Sequence, residues 1–247
     1  MFSPQKSPST HPEKKNRFRH FIGVYRWVYR TTWKFRLTLI LTVFLLAWVT
    51  RGLWGPAIGQ SLVCGGDLKK SQAIVIANFD VDYLLFKWAG ALERRGFGDR
   101  VIIPVKYSKR DESKPNEADK AVAEALCGVA DIKAPLFLPV IEKEPISYHV
   151  ARQVGEKLEK DRIRSVIIVS SALRSKRDFL IFKKVLAEKG ITVTCAPVFG
   201  EKTPANWMNS WHGVQDVFLQ TGKLWYYRLK LLMPKQYNPI RFLTGVF

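Results

Sequence analysis

The sequence predicts an α/β protein, in which helices cover both faces of a mostly parallel β-sheet, preceded by one N-terminal transmembrane helix. Five short apolar runs alternate with helical patterns, and this alternation predicts a parallel sheet with right-handed crossovers. An uncharged apolar run behind a basic segment predicts the membrane helix. We therefore expect four parts: a basic cytoplasmic segment at 1–34, a transmembrane signal anchor at 35–55, a linker at 56–71 and an extracytoplasmic α/β domain at 72–247.

The predicted anchor is built on the uncharged run 37–50, which is bracketed by Trp33 and Trp54. The run is shorter than the roughly 20 residues of a bilayer span, but the interval between the two tryptophans corresponds to roughly 33 Å of helix. Tryptophan favours both membrane interfaces, and Arg36 and Arg51 can reach the headgroups. The one-sided basic flank places the N-terminus in the cytoplasm and the domain outside the plasma (inner) membrane. A buried core helix is the alternative.

The chain is strongly basic, with 40 Lys and Arg against 21 Asp and Glu and a formal charge of +19. Such a charge favours an anionic partner, either nucleic acid or a membrane surface. Residues 1–54 hold ten basic residues and one acidic residue, so 30 basic and 20 acidic residues leave +10 on the remainder. Because we place that remainder outside the cytoplasm, we expect membrane lipid or an acidic envelope polymer as partner and no nucleic acid.

Apolar and β-branched runs predict the strands of the domain, at 72–77, 100–105, 136–141, 165–170 and 191–196. Helical spacing of apolar residues predicts helices at 80–95, 117–127, 147–160 and 173–189. Glycines end three of these helices, and Ser147 is a suitable cap for another. The charged stretch 106–116 is expected to be a loop. One mostly parallel sheet should then contain Ile74, Ile102, Leu138, Ile168 and Val193.

The region from residue 205 onward is rich in aromatic and basic residues. Most of it is predicted to form a closing helix packed on the sheet. From Leu224 onward the segment is alternatively expected to meet the outer membrane–water interface. A second membrane span is not expected, because charged residues recur too often.

The main candidate site lies where the strand 165–170 meets its helix. Ser170 and Ser171 end the strand, and Arg174 and Arg177 follow on one side of the first helical turns, where we expect them to be exposed. The backbone N–H groups and the dipole at a helix start favour an anion, and arginines would add bidentate hydrogen bonds to phosphate or carboxylate. The alternative is a basic helix start whose arginines pair with Asp178 and neighbouring acids.

Ligands of parallel α/β sheets bind beyond the carboxyl ends of the strands, so the loops there are further candidates. These loops add Lys106 to the predicted anion site and nominate Asn78 and Asp80 as pocket residues. The sequence contains no GxGxxG, Walker A, HExxH or GxSxG motif, which argues against standard nucleotide sites. The four histidines are too scattered for a metal site, and no cofactor is indicated. Ser170 and Ser171 are possible nucleophiles, but no general base stands at a recognisable position.

The three cysteines form an odd set without the spacing of metal ligands. Cys127 and Cys195 lie in apolar contexts and are expected to be small core residues. One disulfide is compatible with the sequence, and its partners stay open.

From about 72 to 230 the chain resembles the SanA/ElyC/YdcF family of envelope proteins. The most recognisable element of that family is a strand followed by T/S-S-A-x-H-x-x-R-A, and here 170–178 reads SSALRSKRD. Arg177 matches the family arginine, and Arg174 stands where histidine is usual. The glycine-rich turns of the family are replaced here by the sequences at 77–80 and 105–108.

Further segments carry the same resemblance and nominate further pocket residues. Glu117 resembles the glutamate that opens a helix in the family. The segment 147–151 resembles its S/T-x-E-N-A sequence, which nominates Ser147 together with His149 in place of the acid. His149 and His212 lie near predicted helix starts, and each is by its position alone more typical of a surface or capping residue than of a ligand. Trp207 and the stretch 224–228 resemble the closing portion of the family.

The resemblance implies a three-layer α/β/α Rossmann-like domain, often behind one membrane anchor. It also implies a role in cell-envelope integrity and peptidoglycan biogenesis, with a link to the polyprenyl-phosphate carrier. The expected function is therefore a single-pass, membrane-anchored envelope protein whose outer domain binds an anionic, phosphorylated envelope precursor or a polyprenyl-phosphate-like lipid carrier.

Two rival functions remain open at this point. One is a non-catalytic scaffold with a degenerate site, whose aromatic and basic tail binds a membrane protein or the lipid surface. The other is a phosphoryl- or methyl-transfer enzyme. The replaced glycines favour the scaffold, because glycine lets the backbone approach a ligand closely, whereas the retained arginines favour the anion-binding function.

Overall fold

The structure, a computed structural model, describes residues 32–77, 82–108 and 111–232, with the side chains of 111–114 not described. The chain divides into two compact units, Met1–Val49 and Thr50–Phe247. In the described part of the first unit, helix α1 spans Trp33–Val49 and has no buried residues. In the second unit the helices are α2 Arg51–Ser61, α3 Tyr83–Arg94, α4 Glu117–Ala130, α5 Ile146–Lys160, α6 Ala172–Ala187 and α7 Trp211–Leu232.

The predicted anchor 35–55 is not one helix. Helix α1 ends at Val49, and the rest of the predicted anchor belongs to α2 in the second unit. Among the described helices, none is by itself long and apolar enough to cross a membrane, whereas α1 and α2 taken together satisfy length and composition despite the break between them. The break falls at Thr50, whereas Gly52, Gly55 and Pro56, which are poor helix formers, lie inside α2.

The prediction of an α/β fold is confirmed. Five strands form a parallel sheet in the order β4-β2-β1-β5-β6. Their bounds are β1 Ala73–Ile76, β2 Val101–Ser108, β4 Pro135–Val140, β5 Ser165–Ser171 and β6 Thr192–Val198. The five residues that should share one sheet, Ile74, Ile102, Leu138, Ile168 and Val193, each lie on a different one of these strands.

The strand order defines a switch point in the middle of the sheet. From β1 the chain moves outward through β2 to β4, and it then returns to the other side of β1 for β5 and β6. This is the order of doubly wound, Rossmann-like sheets, in which ligands bind beyond the carboxyl ends of the two strands at the switch point. In a sheet of this order, the crevice beyond β1 and β5 is therefore the position at which a ligand is expected.

Side chains that alternate along the strands pack into two apolar cores, one on each face of the sheet. Ala73 and Val75 of β1 pack in one core together with residues of α5, α6 and α7. Ile74 and Ile76 pack in the other core with residues of α3 and α4. Residues 73–76 are fully buried, as expected of a central parallel strand covered on both faces.

The described residues of the stretch 106–116 lie mostly in two paired strands and do not form the predicted loop. Strand β2 continues to Ser108, and β3, Asp111–Pro115, returns antiparallel to it. The charged composition conceals these strands, because apolar alternation is the main sequence signal of a strand. Asn116 then caps α4, since its Oδ1 accepts hydrogen bonds from the N–H groups of Ala118 and Asp119 at 3.0 and 3.3 Å.

The first part of the predicted linker 56–71 is helical and packed. Helix α2 presents Gly55 and Gly59 to the segment 204–208, where Trp207 Nε1 donates to the carbonyl of Gly55 at 2.8 Å. A Cβ atom on Gly59 would lie 2.7 Å from the backbone of Pro204. In the sequence these glycines suggest a linker, but in the structure they allow α2 to pack closely on the segment 204–208.

A disulfide joins Cys64, just after α2, to Cys195 on β6. The two cysteines are 131 positions apart, so the bond closes a loop that includes most of the sheet. Cys195 is therefore not merely a small core residue, whereas Cys127 is buried, as the sequence predicts, and takes no part in the disulfide. Burial, with the charges of Glu124 and Glu93, raises the pKa of the Cys127 thiol to about 11. That thiol is unreactive at neutral pH.

Candidate functional site

The candidate site is built where β5 ends and α6 begins. Residues 166–169 of β5 are fully buried, and Ser170 is 1 % exposed at the carboxyl end of the strand. The N–H of Ala77 donates to the carbonyl of Val169 at 2.9 Å, which places Ser170 beside the end of β1. The predicted serine turn therefore stands at the switch point of the sheet.

Helix α6 starts directly at this crevice. Ser171 is its N-cap residue, but the Ser171 side chain makes no capping hydrogen bond, and the first turn contains no acidic residue. A helix start of this kind favours an anion through its backbone N–H groups and dipole. Arg174 is half-buried in this first turn, so a positive charge lies where the dipole is already positive.

Below the crevice lies a buried polar network, formed by Ser170, Asp178, Arg177 and Gln220. The Ser170 hydroxyl donates to Asp178 Oδ2 at 2.6 Å. Arg177 donates from Nε and Nη2 to Asp178 Oδ1 at 3.0 and 2.9 Å, and from Nη1 to Gln220 Oε1 at 2.8 Å. Among the described residues, no buried side-chain nitrogen or oxygen lacks a hydrogen-bond partner.

Arg177 is thus not the exposed arginine that the sequence suggests. Its side chain is buried, and its charge is compensated by Asp178, the partner named in the alternative interpretation. A buried ion pair costs desolvation and persists when its hydrogen bonds are complete, as they are here. The contact of Arg177 with a ligand anion stays a prediction, and the structure gives its guanidinium three internal hydrogen bonds.

Helices α5 and α7 bring two further hydroxyls to the same end of the sheet. Tyr227 of α7 is 8 % exposed, and burial raises the pKa of its phenol. A hydrogen bond from Ser147 and the charge of Arg177 act in the opposite direction on this pKa. The predicted residues Ser147, Ser170 and Arg177 therefore lie near one another, although they are distant in sequence.

His149 lies in the first turn of α5 and packs edge-to-face on Tyr148, with ring centroids 5.8 Å apart. Partial burial lowers its pKa below the ordinary value of 6.5, and the nearby charges of Lys143, Arg152 and Lys230 lower it further. The neutral form of the His149 imidazole is thus favoured by the positively charged side chains around it.

The remaining predicted residues are less central. Lys106 is exposed near the end of β2, where its Nζ is 3.5 Å from Glu142 Oε1. Glu117 is exposed at the first position of α4. Asn78 and Asp80 lie outside the described residues, directly after the end of β1.

The arrangement is suited to binding an anion and shows no nucleophile activated by a base. The carboxylate that accepts the hydrogen bond of the Ser170 hydroxyl also accepts two hydrogen bonds from Arg177, so both of its oxygens are engaged within the buried network. The described residues contain no group of three His, Cys, Asp or Glu side chains that could hold a metal ion.

Sequence reasoning missed Gln220 and Tyr227 as members of the site. Both lie on the inner face of α7, with Leu224 between them. The helical spacing of 220, 224 and 227 shows that they share a face, but only the packing of α7 on α6 reveals what that face meets.

Comparison with known proteins adds no family or relative to these observations. No family model matches the chain, and no curated protein is found to be similar to it.

Proposed function

We propose that this chain is a membrane-anchored cell-envelope protein whose extracytoplasmic α/β domain binds an anionic, phosphorylated ligand at the crevice between β1 and β5. The observation that carries the proposal is the coincidence of two features at one place. The switch point of the sheet and the acid-free start of α6 meet at Ser170 and Ser171.

The location outside the cytoplasm is supported by the disulfide between Cys64 and Cys195. Such bonds persist in oxidising compartments and are rare in cytosolic proteins. The basic segment before residue 37 supports the same orientation, because positive flanks stay in the cytoplasm. Helix α1, whose apolar side chains are exposed, is the part of the chain that would enter the bilayer, together with the first residues of α2.

The ligand would be held by three kinds of group. Backbone N–H groups of the first turn of α6 and the Ser171 hydroxyl donate hydrogen bonds to phosphate oxygens. Arg174 adds a charge-assisted bond from the same turn. The buried pair of Arg177 and Asp178 supports this turn from inside the domain, and Asp178 holds the Ser170 hydroxyl by a hydrogen bond.

The resemblance to the SanA/ElyC/YdcF family suggests what the phosphate belongs to. An envelope precursor or a polyprenyl-phosphate-like lipid carrier would place this protein in envelope or peptidoglycan biogenesis. A membrane-bound carrier also suits a chain that is itself attached to the membrane. We make this part of the proposal on the residues at 170–178 alone.

A non-catalytic scaffold is the second candidate function, and one observation favours it. The guanidinium of Arg177, which the anion-binding hypothesis uses, is occupied by Asp178 and Gln220. A scaffold needs a stable domain and an external binding surface but no ligand at the crevice.

Binding of a short-chain polyprenyl phosphate separates the two functions. The purified full-length protein in detergent micelles should bind it, as detected by calorimetry and by the ³¹P resonance of the ligand. The substitution Arg174→Ala should weaken binding of the polyprenyl phosphate by about tenfold to a hundredfold, because a charged hydrogen bond contributes about 1.5–3 kcal/mol. Arg174→Lys should restore only part of the affinity, since lysine cannot make the planar bidentate contact.

The matched control is Arg152→Ala, which removes an arginine from the exposed pair with Glu156 on α5. Its affinity should equal that of the unmodified protein. Equal affinity of the Arg174→Ala protein, or no binding of any polyprenyl phosphate, would leave the scaffold as the better account.

A further inference from the structure

One face of α7 carries an exposed, mostly apolar stripe. Its members follow one another at alternating intervals of three and four residues, with Gln215 and Gly222 completing the series. We call this surface the α7 stripe, and its apolar members are Trp211 (74 % exposed), Phe218 (74 %), Trp225 (56 %), Leu229 (55 %) and Leu232 (82 %).

The α7 stripe is not the side of the helix that holds the domain together. The opposite side carries the buried residues Gly213, Val217, Gln220, Leu224 and Tyr227. That inner face supplies the packing of α7 on the domain and its link to the buried polar network. Large aromatic groups at more than half exposure on the outer face are thus unexplained by folding, and such patches mark interaction surfaces.

Basic side chains border the α7 stripe on both sides. At about 100° per residue, Lys223 and Lys230 fall on one border and Arg228 on the other. The guanidinium of Arg228 lies 5.2 Å from the ring centre of Trp225, and Lys230 Nζ lies 5.7 Å from that of Tyr226. From 217 to 232 the helix contains no acidic residue.

The aromatic rings and their cations together form the type of surface that enters a lipid headgroup layer. Tryptophan and tyrosine favour the membrane–water interface, where lysine and arginine reach the lipid phosphates. A second copy of the chain is a poor occupant, because a symmetric contact would bring the basic borders of two stripes together. We infer that the α7 stripe docks on an anionic lipid surface, with α7 lying along the membrane plane.

This inference rests on the proposed function only in its assumption that the domain works at a bilayer. It adds that the domain is held to the membrane by α7 as well as by its anchor. The phosphate crevice is a separate surface, so Arg174→Ala should leave the lipid contact of α7 unchanged. Absence of phosphate binding by the unmodified protein, with the lipid contact of α7 intact, would refute the crevice alone.

Photo-crosslinking of the full-length protein in vesicles tests the inference. The photoreactive residue p-benzoylphenylalanine is placed at Phe218. The matched control places it at Val129, which is 69 % exposed and lies on α4, a helix that packs on the other face of the sheet. The expected result is a lipid adduct from position 218 and none from 129. A second placement, at Trp225, repeats the test if the first disturbs the helix.

Lipid charge provides the second arm of the experiment. The adduct should form in vesicles of phosphatidylcholine with phosphatidylglycerol and fall markedly in phosphatidylcholine alone. Changing Lys223, Arg228 and Lys230 together to Gln should reduce the adduct in anionic vesicles by at least about tenfold. A cross-linked product of twice the chain mass, an adduct to another protein in cells, or equal lipid adducts at 218 and 129 would overturn the inference.

Discussion

Arg177 holds together three elements of the fold at one buried point. It lies on α6, pairs with the next residue, Asp178, and reaches Gln220 on α7. Asp178 in turn accepts a hydrogen bond from the hydroxyl of Ser170 at the end of β5. The charge of Arg177 is therefore part of the structure below the crevice, and under the proposed function we expect the loss of Arg174, and not that of Arg177, to act directly on ligand binding.

We predict that Arg177→Ala lowers the free energy of unfolding by about 3–5 kcal/mol, because it leaves the buried carboxylate of Asp178 without its counter-charge. The double variant Arg177→Ala/Asp178→Ala should be less destabilised than the single one, since the uncompensated charge is gone. Urea unfolding measures both. Arg152→Ala, on an exposed pair, should change stability by less than about 1 kcal/mol, and an equally small effect at Arg177 would contradict this account.

His149 gives the domain a pH dependence with a defined sign. Burial, Lys143, Arg152 and Lys230 lower its folded-state pKa below 6.5. Below pH 6.5 the unfolded chain therefore binds a proton more readily than the folded protein does, so His149 contributes stability that is lost as the pH falls towards the lowered value.

We predict that the stability advantage of the unmodified protein over His149→Gln decreases as the pH is lowered through 6.5. Urea unfolding of both proteins over a series of pH values measures it, and Lys143→Ala should move the transition to higher pH. An identical pH dependence in the unmodified and Gln proteins would show that His149 does not titrate differently on folding.

At the scale of elements, helix α7 depends on a close approach at its first turn. A Cβ atom on Gly213 would lie 2.1 Å from the carbonyl oxygen of Trp207, and backbone atoms cannot give way as a flexible side chain can. Gly222, on the same helix, has no neighbour within 4 Å of its own Cβ position. Substitution of Gly213 therefore tests the effect of packing on stability, whereas substitution of Gly222 tests the effect of helix propensity.

We predict that Gly213→Ala destabilises the protein by about 1–3 kcal/mol through overpacking. Gly222→Ala should instead stabilise it by up to about 1 kcal/mol, because alanine is the better helix former. Thermal or urea unfolding of the two variants provides the comparison. A stabilising effect at position 213 would mean that α7 does not begin against Trp207 as described.

The sequence predicts elements well where one local signal dominates. β1 and the central residues 166–169 of β5 are apolar and mostly β-branched, and the positions of both strands agree with prediction within a few residues. The polar strand β3 and helix α2 with Gly52, Gly55 and Pro56 lack that signal. Both are stabilised by partners elsewhere in the chain, which a local pattern does not contain.

At the scale of the whole molecule, the same limit applies to the site. The serine turn and its arginines can be located because strand, cap and charge are adjacent in sequence. Gln220 cannot, because it is 43 positions from Arg177 and meets it only through the packing of α7. The bond between Cys64 and Cys195 is likewise a property of the assembled sheet.

We predict that Cys64→Ser/Cys195→Ser lowers the free energy of unfolding by about 2–5 kcal/mol, since the bond restricts a long loop in the unfolded chain. Cys127→Ala leaves the bond in place and serves as the control. After denaturation without reductant, alkylation of protein taken from cells should label Cys127 alone. Labelling of all three cysteines would show that the domain does not mature in an oxidising compartment.

The position of this disulfide also determines how the domain bears mechanical load. A pull on the chain from its N-terminal side reaches Cys64 before it reaches β1, and the covalent bond passes the force directly to β6 at the edge of the sheet. The central strands β1, β2 and β5 and the crevice between them lie inside the closed loop. A domain of this design can be pulled from its N-terminal side while the centre of its sheet stays out of the line of force.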